Sequence, residues 1–269
     1  MADYEFGFIG TGNMGGALAK AAAKAVDPKR IILSNRTPQK AAQLARRLGC
    51  DHGSNEDAAR ARFIMLGVKP QMMADMLSGI APVLAARRDR FALVSMAAGL
   101  TMETISAMAG GDYPVIRIMP NTPVEIGQGV ILMDSNERVT DDEINDFLRA
   151  MSAAGTFDML EERLIDAGSA VTGCGPAFAY MFIEALADGG VACGLPRAKA
   201  LSYAADMLAG AAALAGNSEK HPGALKDAVC SPGGSTIMGV RTLEQRAFRA
   251  AVMDAVIAAT ERTKELGKK

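Results

Sequence analysis

The chain has 269 residues, 49% of them hydrophobic, and a formal net charge of −1 at pH 7, which suffices for one large or two modest domains. The balanced charge and the absence of Lys/Arg runs argue against a nucleic-acid-binding surface. Four scattered cysteines, with no CxxC pair and no Cys/His cluster, predict neither a disulfide framework nor a metal site. Acids in MADYEFGFIG replace the basic start of a signal peptide, and the longest uncharged run, 167–183, is short for a membrane span. We therefore expect a soluble cytoplasmic protein with no membrane partner.

The first half of the chain alternates short apolar runs with stretches of helical periodicity. The strand-like runs are 5–9, 30–34, 62–68, 91–96 and 115–119. This alternation predicts a parallel α/β sheet. After about residue 160 the sequence changes to long, Ala-rich helical stretches. The predicted fold is therefore α/β: a Rossmann-type dinucleotide-binding domain over 1–160, followed by an all-α dimerisation domain over 161–269.

The last predicted helix runs from Ser235 to Leu266, which at 1.5 Å per residue is about 45 Å long. Apolar residues recur along it at helical spacing: Ile237, Val240, Leu243, Phe248, Val252, Val256 and Ala259. A stripe of that length is more than one small domain can cover. The sequence therefore predicts self-association into at least a dimer.

A glycine-rich loop follows the first predicted strand and opens a helix. Its residues are Gly10, Thr11, Gly12, Asn13, Met14 and Gly15. In this context GxGxxG is typical of a dinucleotide site: the first glycine permits the turn, the second lets a pyrophosphate approach, and the third lets helix and strand pack closely.

The second strand ends in Ser34, Asn35, Arg36 and Thr37, where an NAD site would typically carry Asp or Glu. Guanidinium binds phosphate through paired hydrogen bonds, so Arg36 favours a 2′-phosphate and hence NADPH, with NADH as an additional donor. The alternative is that Arg36 is an ordinary solvated cation.

A second glycine-rich turn precedes a helix whose first turn contains no acid. Ser231 and Thr236 offer hydroxyls there, and Gly233, Gly234 and Ser235 offer N–H groups. With the cofactor assigned to the first loop, this turn is suited to a substrate carboxylate. A plain Gly-Ser helix cap is an equally open interpretation.

Six blocks carry a resemblance to one enzyme family. HPGALKDAVCSPGGSTIMGVRTLE (221–244) closely resembles a signature of pyrroline-5-carboxylate reductases, and the similarity extends in order through FIGTGNMGGALA, GVKPQ, VSMAAGLT, MPNTPVEIGQGV and EALADGGVACGLPRAKA. The resemblance implies reduction of 1-pyrroline-5-carboxylate to L-proline with NADPH, with the substrate placed between the sheet and the helical domain of a partner subunit.

The resemblance also implies roles for residues outside the two glycine turns. It places the Gly10–Gly15 loop on the pyrophosphate and residues 34–37 on the 2′-phosphate. Glu219 would face the ring nitrogen of the substrate. The other residues implied to line the cofactor are Asn55, Val68, Lys69, Pro70, Ala97, Ala98, Gly99, Asn121, Thr122 and Pro123. One departure is Cys174, where the family commonly has a serine.

The implied chemistry needs no general base, because a protonated C=N bond already accepts hydride, which agrees with the presence of only His52 and His221. Lys69 and Thr236 are the candidate catalytic residues, although Lys69 is equally a plain turn cation. Two alternatives are a β-hydroxyacid dehydrogenase, whose second-domain lysine has no counterpart in GPAFAYMFIEALADGG, and a non-catalytic nucleotide-sensing protein.

Overall fold

The computed structural model describes residues 4–266, which form two compact units. One unit extends through Cys174 and includes the chain from Ala259 onward, and the other is Gly175–Ala258. The first unit is built on one sheet. Its strands are β1 Phe6–Ile9, β2 Ile31–Ser34, β3 Asp51–His52, β4 Phe63–Leu66, β5 Ala92–Ser95, β6 Val115–Met119, β7 Gly129–Ser135 and β8 Gly155–Met159.

The strand order is β3-β2-β1-β4-β5-β6-β7-β8, and every neighbouring pair is parallel except β6 and β7. All five predicted strands are present with ends trimmed by up to two residues, and β1, β2, β4, β5 and β6 are buried throughout. The five predicted strands are parallel to one another, as expected, whereas β7, which was not predicted, pairs antiparallel with β6. This strand returns from β6 through a short connection, and a short connection permits only antiparallel pairing.

Helices cover both faces of the sheet. They are α1 Asn13–Ala25, α2 Pro38–Leu48, α3 Asn55–Ala58, α4 Met73–Ala86, α5 Met102–Ala109, α6 Asp141–Ala150 and α7 Glu162–Thr172. Short 3₁₀ turns lie at Pro28–Arg30, Pro70–Met72, Thr122–Ile126 and Ser152–Ala154. One core packs α1, α2 and α6 on the sheet, and a second core packs α3, α4 and α5. Small residues let α1 lie close to the strands, since Ala17, Ala19 and Ala22 are buried.

The second unit is entirely helical in its described residues. It contains α8 Gly175–Ala192, α9 Arg197–Gly216, α10 Pro222–Ala228, α11 Ser235–Gln245 and most of α12 Phe248–Leu266. The single long helix predicted from Ser235 to Leu266 is wrong. The chain leaves the helix at Arg246, and Ala247 has a left-handed φ of 57°. The 45 Å length that supported a dimer therefore does not exist. Of the predicted apolar stripe, Leu243, Phe248 and Val252 are exposed, and the other four members are partly buried: Ile237, Val240, Val256 and Ala259.

The helical stretch Glu162–Ala192 combines α7 and α8. By length and composition alone it could cross a membrane, with a mean hydropathy of 1.3, although core helices of soluble proteins meet the same criterion. The uncharged run 167–183, expected to be short for a membrane span, lies inside this stretch and contains Gly173 and Gly175. In the structure only a two-residue turn at Gly173 and Cys174 separates the two helices.

The predicted domain boundary at 160/161 precedes α7, whereas the compact units divide after Cys174. The reason is that α7 packs against the sheet: Ile165 is buried with Met119 of β6 and Leu132 of β7. The two divisions differ only in the assignment of α7 and of the chain end from Ala259.

Candidate functional site: a cationic cleft at the glycine-rich loop

The glycine-rich loop is a point of close backbone approach. Gly10 has a φ of +98°, which favours glycine, and its N–H donates to the Ser34 carbonyl oxygen at 2.9 Å. A Cβ built on Gly15 would lie 2.1 Å from the Gly10 carbonyl oxygen, and one on Gly67 would lie 2.4 Å from the same atom. Glycine at these positions lets α1, β1 and the end of β4 meet.

Gly12 differs from these packed glycines. It is the N-cap of α1, its own Cβ would meet nothing within 4 Å, and no side chain caps the helix. No acid lies in the first turn of α1. Open N–H groups at a helix start are suited to a phosphate, as predicted.

A cleft of about 730 Å³ opens over this loop. Its lining carries five cationic side chains and one acid, so it is suited to a polyanionic ligand. The cationic residues are Lys20, Arg36, Lys40, Arg47 and Lys69, and the acid is Glu125. Glu125 lies 3.8 Å from Lys20 and leaves the other four cations without a carboxylate partner within the described chain.

The four residues at the end of β2 have different surroundings. Ser34 is buried, and its Oγ donates to Asn55 Oδ1 at 2.7 Å. Asn35 donates to Thr11 Oγ1 at 3.0 Å and accepts from the Thr37 N–H at 3.0 Å. Arg36 is exposed, with only Met72 Sδ near its guanidinium at 3.8 Å. Arg36 and the Thr37 hydroxyl thus remain available for a ligand, while the others form the support.

The predicted cofactor residues separate into three groups. Those lining the cleft are Gly10, Thr11, Gly12, Asn13, Asn35, Arg36, Thr37, Val68 and Lys69. Asn55 lines a smaller adjoining pocket of about 290 Å³, together with Arg36, Met72, Asp75 and Met76. Those outside both linings are Met14, Gly15, Ser34, Pro70, Ala97, Ala98, Gly99, Asn121, Thr122 and Pro123.

Asn121 shows why a residue near the site need not face it. Its side chain is buried, donating to the Thr172 carbonyl oxygen at 3.0 Å and accepting from the Val130 N–H at 3.0 Å. The amide therefore fastens the end of α7 and the start of β7 to the sheet. Lys69 is exposed before the 3₁₀ turn Pro70–Met72.

Several cleft residues were not predicted. They are Gly16, Lys20, Lys40, Gln43, Leu44, Arg47, Gly67, Met72 and Glu125. Four of them follow a helical spacing that was available in the sequence, since positions 40, 43, 44 and 47 form one face of α2. Gly67 was visible as a glycine directly after a buried strand. Nothing in the local sequence marked Glu125, which the fold brings from beyond β6.

The second glycine turn lies in the helical unit and forms the start of α11. Gly234 is the N-cap with extended backbone, and no side chain caps the helix. Gly233 has a φ of +70°, and Gly233, Ser235 and Thr236 are exposed residues. The expectation that Gly234 offers a free N–H is wrong, because this N–H closes the turn by donating to the Ser231 carbonyl oxygen at 3.0 Å. The first turn contains no acid. This is the open helix start that the sequence predicted, and its ligand remains a prediction.

The remaining candidates are placed as follows. His221 caps α10, accepting the Gly223 N–H on Nδ1 at 3.0 Å. Glu219 is exposed in the preceding loop. His52 lies within β3. Burial, with the Asp51 charge beside it, raises the pKa of the Cys50 thiol to about 11. Within residues 4–266 no His/Cys/Asp/Glu group is arranged to hold a metal.

Comparisons with known proteins agree with this geometry. Residues 162–266 match a family profile described as pyrroline-5-carboxylate reductase dimerisation, and residues 5–99 match one described as NADP oxidoreductase, coenzyme F420-dependent. The chain is 40% identical to a pyrroline-5-carboxylate reductase of Pisum sativum over 98% of this chain and 96% of that protein. It is 39% identical to the one of Escherichia coli K12 over 98% of each.

Among solved structures, the pyrroline carboxylate reductase of Plasmodium falciparum with NADP bound is similar at a TM-score of 0.87 and 31% identity, covering 99% of each chain. The pyrroline-5-carboxylate reductase of Coxiella burnetii is similar at a TM-score of 0.88 and 30% identity, covering 99% of this chain and all of that one. The similarity therefore spans both units.

Proposed function

The chain belongs to the pyrroline-5-carboxylate reductase family, and we propose on that premise that it reduces 1-pyrroline-5-carboxylate to L-proline with NADPH as the preferred donor. The observation that supports this proposal is the cationic cleft over the start of α1, where no side chain caps the helix and the first turn contains no acid. NADPH carries phosphates at two points, and the cleft offers cations at two places: Arg36 and Lys40 beside the end of β2, and Lys69 beside the end of β4.

In the cofactor site, the bare N–H groups after Gly12 bind the pyrophosphate, and Arg36 with Thr37 binds the 2′-phosphate. Asn55, Met72 and Met76 provide the smaller pocket for the adenine. Met14, Gly15 and Ser34 act through packing and support. When bound, the nicotinamide supplies the hydride. Lys69 is the candidate for electrostatic positioning at that end of the cleft.

The substrate carboxylate is proposed to bind at the start of α11 through the N–H groups of Gly233, Ser235 and Thr236 and the hydroxyls of Ser231 and Thr236. The N–H of Gly234 is not available, because it donates to the Ser231 carbonyl oxygen at 3.0 Å, so Gly234 acts by shaping the turn. Glu219 is proposed to face the ring nitrogen. A protonated ring nitrogen already neutralises the charge that hydride addition would create, so the protein positions the reactants and excludes water. His221, which caps α10, is not required as an acid or base.

The chain carries its family's dimerisation region, and we propose at least a dimer. The apolar side chains exposed on α8 and α9, among them Tyr180, Met181 and Tyr203, are the surface that a second copy would cover. On this proposal the apolar stretch 162–192 meets protein and not lipid, no nucleic acid is bound, and the enzyme works in the cytoplasm.

The proposal is tested by following NADPH oxidation with 1-pyrroline-5-carboxylate, beside a 3-hydroxy acid assayed in the oxidative direction. Turnover with only the hydroxy acid would make the chain a β-hydroxyacid dehydrogenase. No turnover with any cyclic imino acid would favour a nucleotide-sensing protein.

The NADPH preference is tested by Arg36→Ala, with Arg46→Ala as the control. Arg46 is exposed on α2, the helix that follows Arg36, and lies outside the cleft lining. Loss of a charge-assisted contact, about 1.5–3 kcal/mol, raises KM for NADPH roughly 10- to 100-fold and spares NADH, which has no 2′-phosphate. An equal effect on both cofactors would assign Arg36 a structural role.

A further inference from the structure

A buried arginine lies in β6, outside the linings of the cationic cleft and of its adjoining pocket. Arg117 is 2% exposed; its Nη2 donates to Asp166 Oδ1 at 2.6 Å and its Nη1 to Glu162 Oε1 at 3.4 Å. Its Nε is the buried side-chain nitrogen without a hydrogen-bond partner in residues 4–266. A buried cation is costly unless paired, so the two carboxylates on α7 are held to the sheet by Arg117.

Glu162 has a second contact, with the start of another helix. Its Oε1 accepts the Met102 N–H at 2.7 Å, and Met102 is the first residue of α5, whose N–H has no partner inside the helix. The backbone N–H of Glu162 donates to Asp134 Oδ2 at 2.6 Å, and Asp134 lies opposite Arg117 in the β6–β7 pair. Glu162 is thus fixed from both sides while it caps α5.

The loop that this cap closes, residues 96–101, joins β5 to α5. The N-terminal end of the loop also lies beside Arg117, because Ser95 pairs with Arg117 across β5 and β6. Ser95 Oγ accepts the Ala97 N–H at 3.4 Å. The loop follows the carboxyl end of a parallel strand, the edge at which doubly wound sheets bind ligands. Gly99, with a φ of +75°, provides its turn.

We propose that Glu162 is a positioning residue for hydride transfer. By capping α5 it fixes loop 96–101, which lies outside the cleft lining but follows β5, the parallel neighbour of β4, as the support that keeps the nicotinamide end of the cofactor in its reactive orientation. Arg117 keeps the carboxylate in place. This inference rests on the proposed function. Glu162 is also the first residue of the matched dimerisation region, so the same side chain connects that region to the cofactor-binding sheet.

The test compares Glu162→Ala, Glu162→Gln and the control Glu161→Ala, whose carboxylate is exposed and pairs only with exposed Arg163. Misplacement of a reacting group by about 1 Å can cost about 100-fold in rate, so Glu162→Ala should lower kcat roughly 10- to 100-fold. The dissociation constant for NADPH, set by the distant phosphates, should stay within about threefold. Gln retains the acceptor for the Met102 N–H, and Glu162→Gln should keep most of kcat.

The primary deuterium isotope effect, measured with NADPH deuterated at the transferred position, separates positioning from stability. Partial unfolding lowers the amount of active enzyme and leaves this ratio unchanged, whereas a slowed hydride step raises it when another step limits the wild-type rate. Should the wild-type effect already be full, the single-turnover rate of hydride transfer is compared instead.

Met102→Pro removes the same hydrogen bond from the other side, at a first helical position where proline is tolerated. Because the Met102 side chain is buried, Met102→Ala, which keeps the N–H, is its control. Met102→Pro, but not Met102→Ala, should raise the isotope effect as Glu162→Ala does.

An unchanged isotope effect in both Glu162→Ala and Met102→Pro would overturn the inference. An equal loss of kcat in Glu162→Gln and Glu162→Ala would also overturn the inference. The negative charge of Glu162, and not its hydrogen bond to the Met102 N–H, would then determine kcat. Wild-type turnover is measured first: its absence would refute the proposed function itself, while its presence with unaffected variants would refute only the role of Glu162.

Discussion

Substitution of Gly12 by alanine should separate cofactor binding from folding. Gly12 has a φ of −70°, which alanine adopts freely, and the added Cβ meets nothing within 4 Å, so the free energy of unfolding should change by less than about 0.5 kcal/mol. The methyl group would, however, occupy the space through which the pyrophosphate reaches the N–H groups. Losing one or two charge-assisted hydrogen bonds, about 1.5–3 kcal/mol each, weakens NADPH binding roughly 10-fold to more than 1,000-fold.

Gly15→Ala should have the opposite effect and lower stability. Its Cβ would lie 2.1 Å from the Gly10 carbonyl oxygen, a backbone atom that cannot rotate away, so the cost should reach the upper end of overpacking, about 3 kcal/mol. At roughly 2–4 °C per kcal/mol, Tm should fall by about 6–12 °C. Thermal melts and fluorescence titration with NADPH measure both variants. A destabilised Gly12→Ala, or one that binds NADPH normally, would refute the assignment of this loop to the pyrophosphate.

Three further outcomes are expected. Ala247→Gly relieves the left-handed strain of about 1–2 kcal/mol against an entropy cost of about 0.4–1 kcal/mol, so Tm should rise by a few degrees in a thermal melt; a fall would contradict the strain. Thr236→Ala should raise KM for the imino acid roughly 10-fold and weaken proline inhibition with NADPH affinity unchanged, and an unaltered KM would make the start of α11 a plain cap. Burial acts to raise the pKa of Glu143, but hydrogen bonds from Arg90 and Thr140 outweigh it and hold the pKa below its usual range. That stabilisation is complete above the ordinary value of about 4.3 and is lost as pH falls through the lower folded pKa, so Glu143→Gln should flatten denaturant-measured stability between pH 5 and 3.

A test of Gly234→Asp would be compromised for a local reason. Gly234 has an extended φ of −75°, but a Cβ there would lie 2.3 Å from Ser231 Oγ. The residue in the left-handed region is Gly233. The Thr236 substitution is therefore the cleaner probe of the same turn.

The strands that sequence predicted are the ones buried on both faces, because a continuous apolar run identifies them without tertiary information. β3, β7 and β8 were missed. β3 and β8 are short or largely exposed edge strands whose pairing depends on neighbours, and β7 is buried only over part of its length. The long last helix was wrong for a related reason. RTLEQRAFRA keeps helical spacing through Ala247, and nothing in its composition marks a left-handed residue that is not glycine.

The glycine-rich loop was predictable where backbone geometry demands glycine, as at Gly10 and Gly15, while its ligand stays a prediction. The site was less predictable for side chains whose direction depends on packing. Ser34 and Asn121 stand beside the cleft in sequence, but their polar atoms are used inside the protein. Lys20 and Glu125 become neighbours only when α1 meets the turn after β6.

The scarcity of buried side chains in the helical unit has a consequence for assembly. Along α8 to α11 and the part of α12 in this unit, all within the described chain, the buried residues are Ala187, Ala200 and Ala204. Alanines bury little surface, so most of the hydrophobic stabilisation of these helices must come from a second copy. Folding and association then become one equilibrium, and midpoint temperatures should rise with protein concentration. For such a chain dilution alone lowers the stability of the helical unit. A newly made subunit that has not yet associated exposes these apolar helices to aggregation.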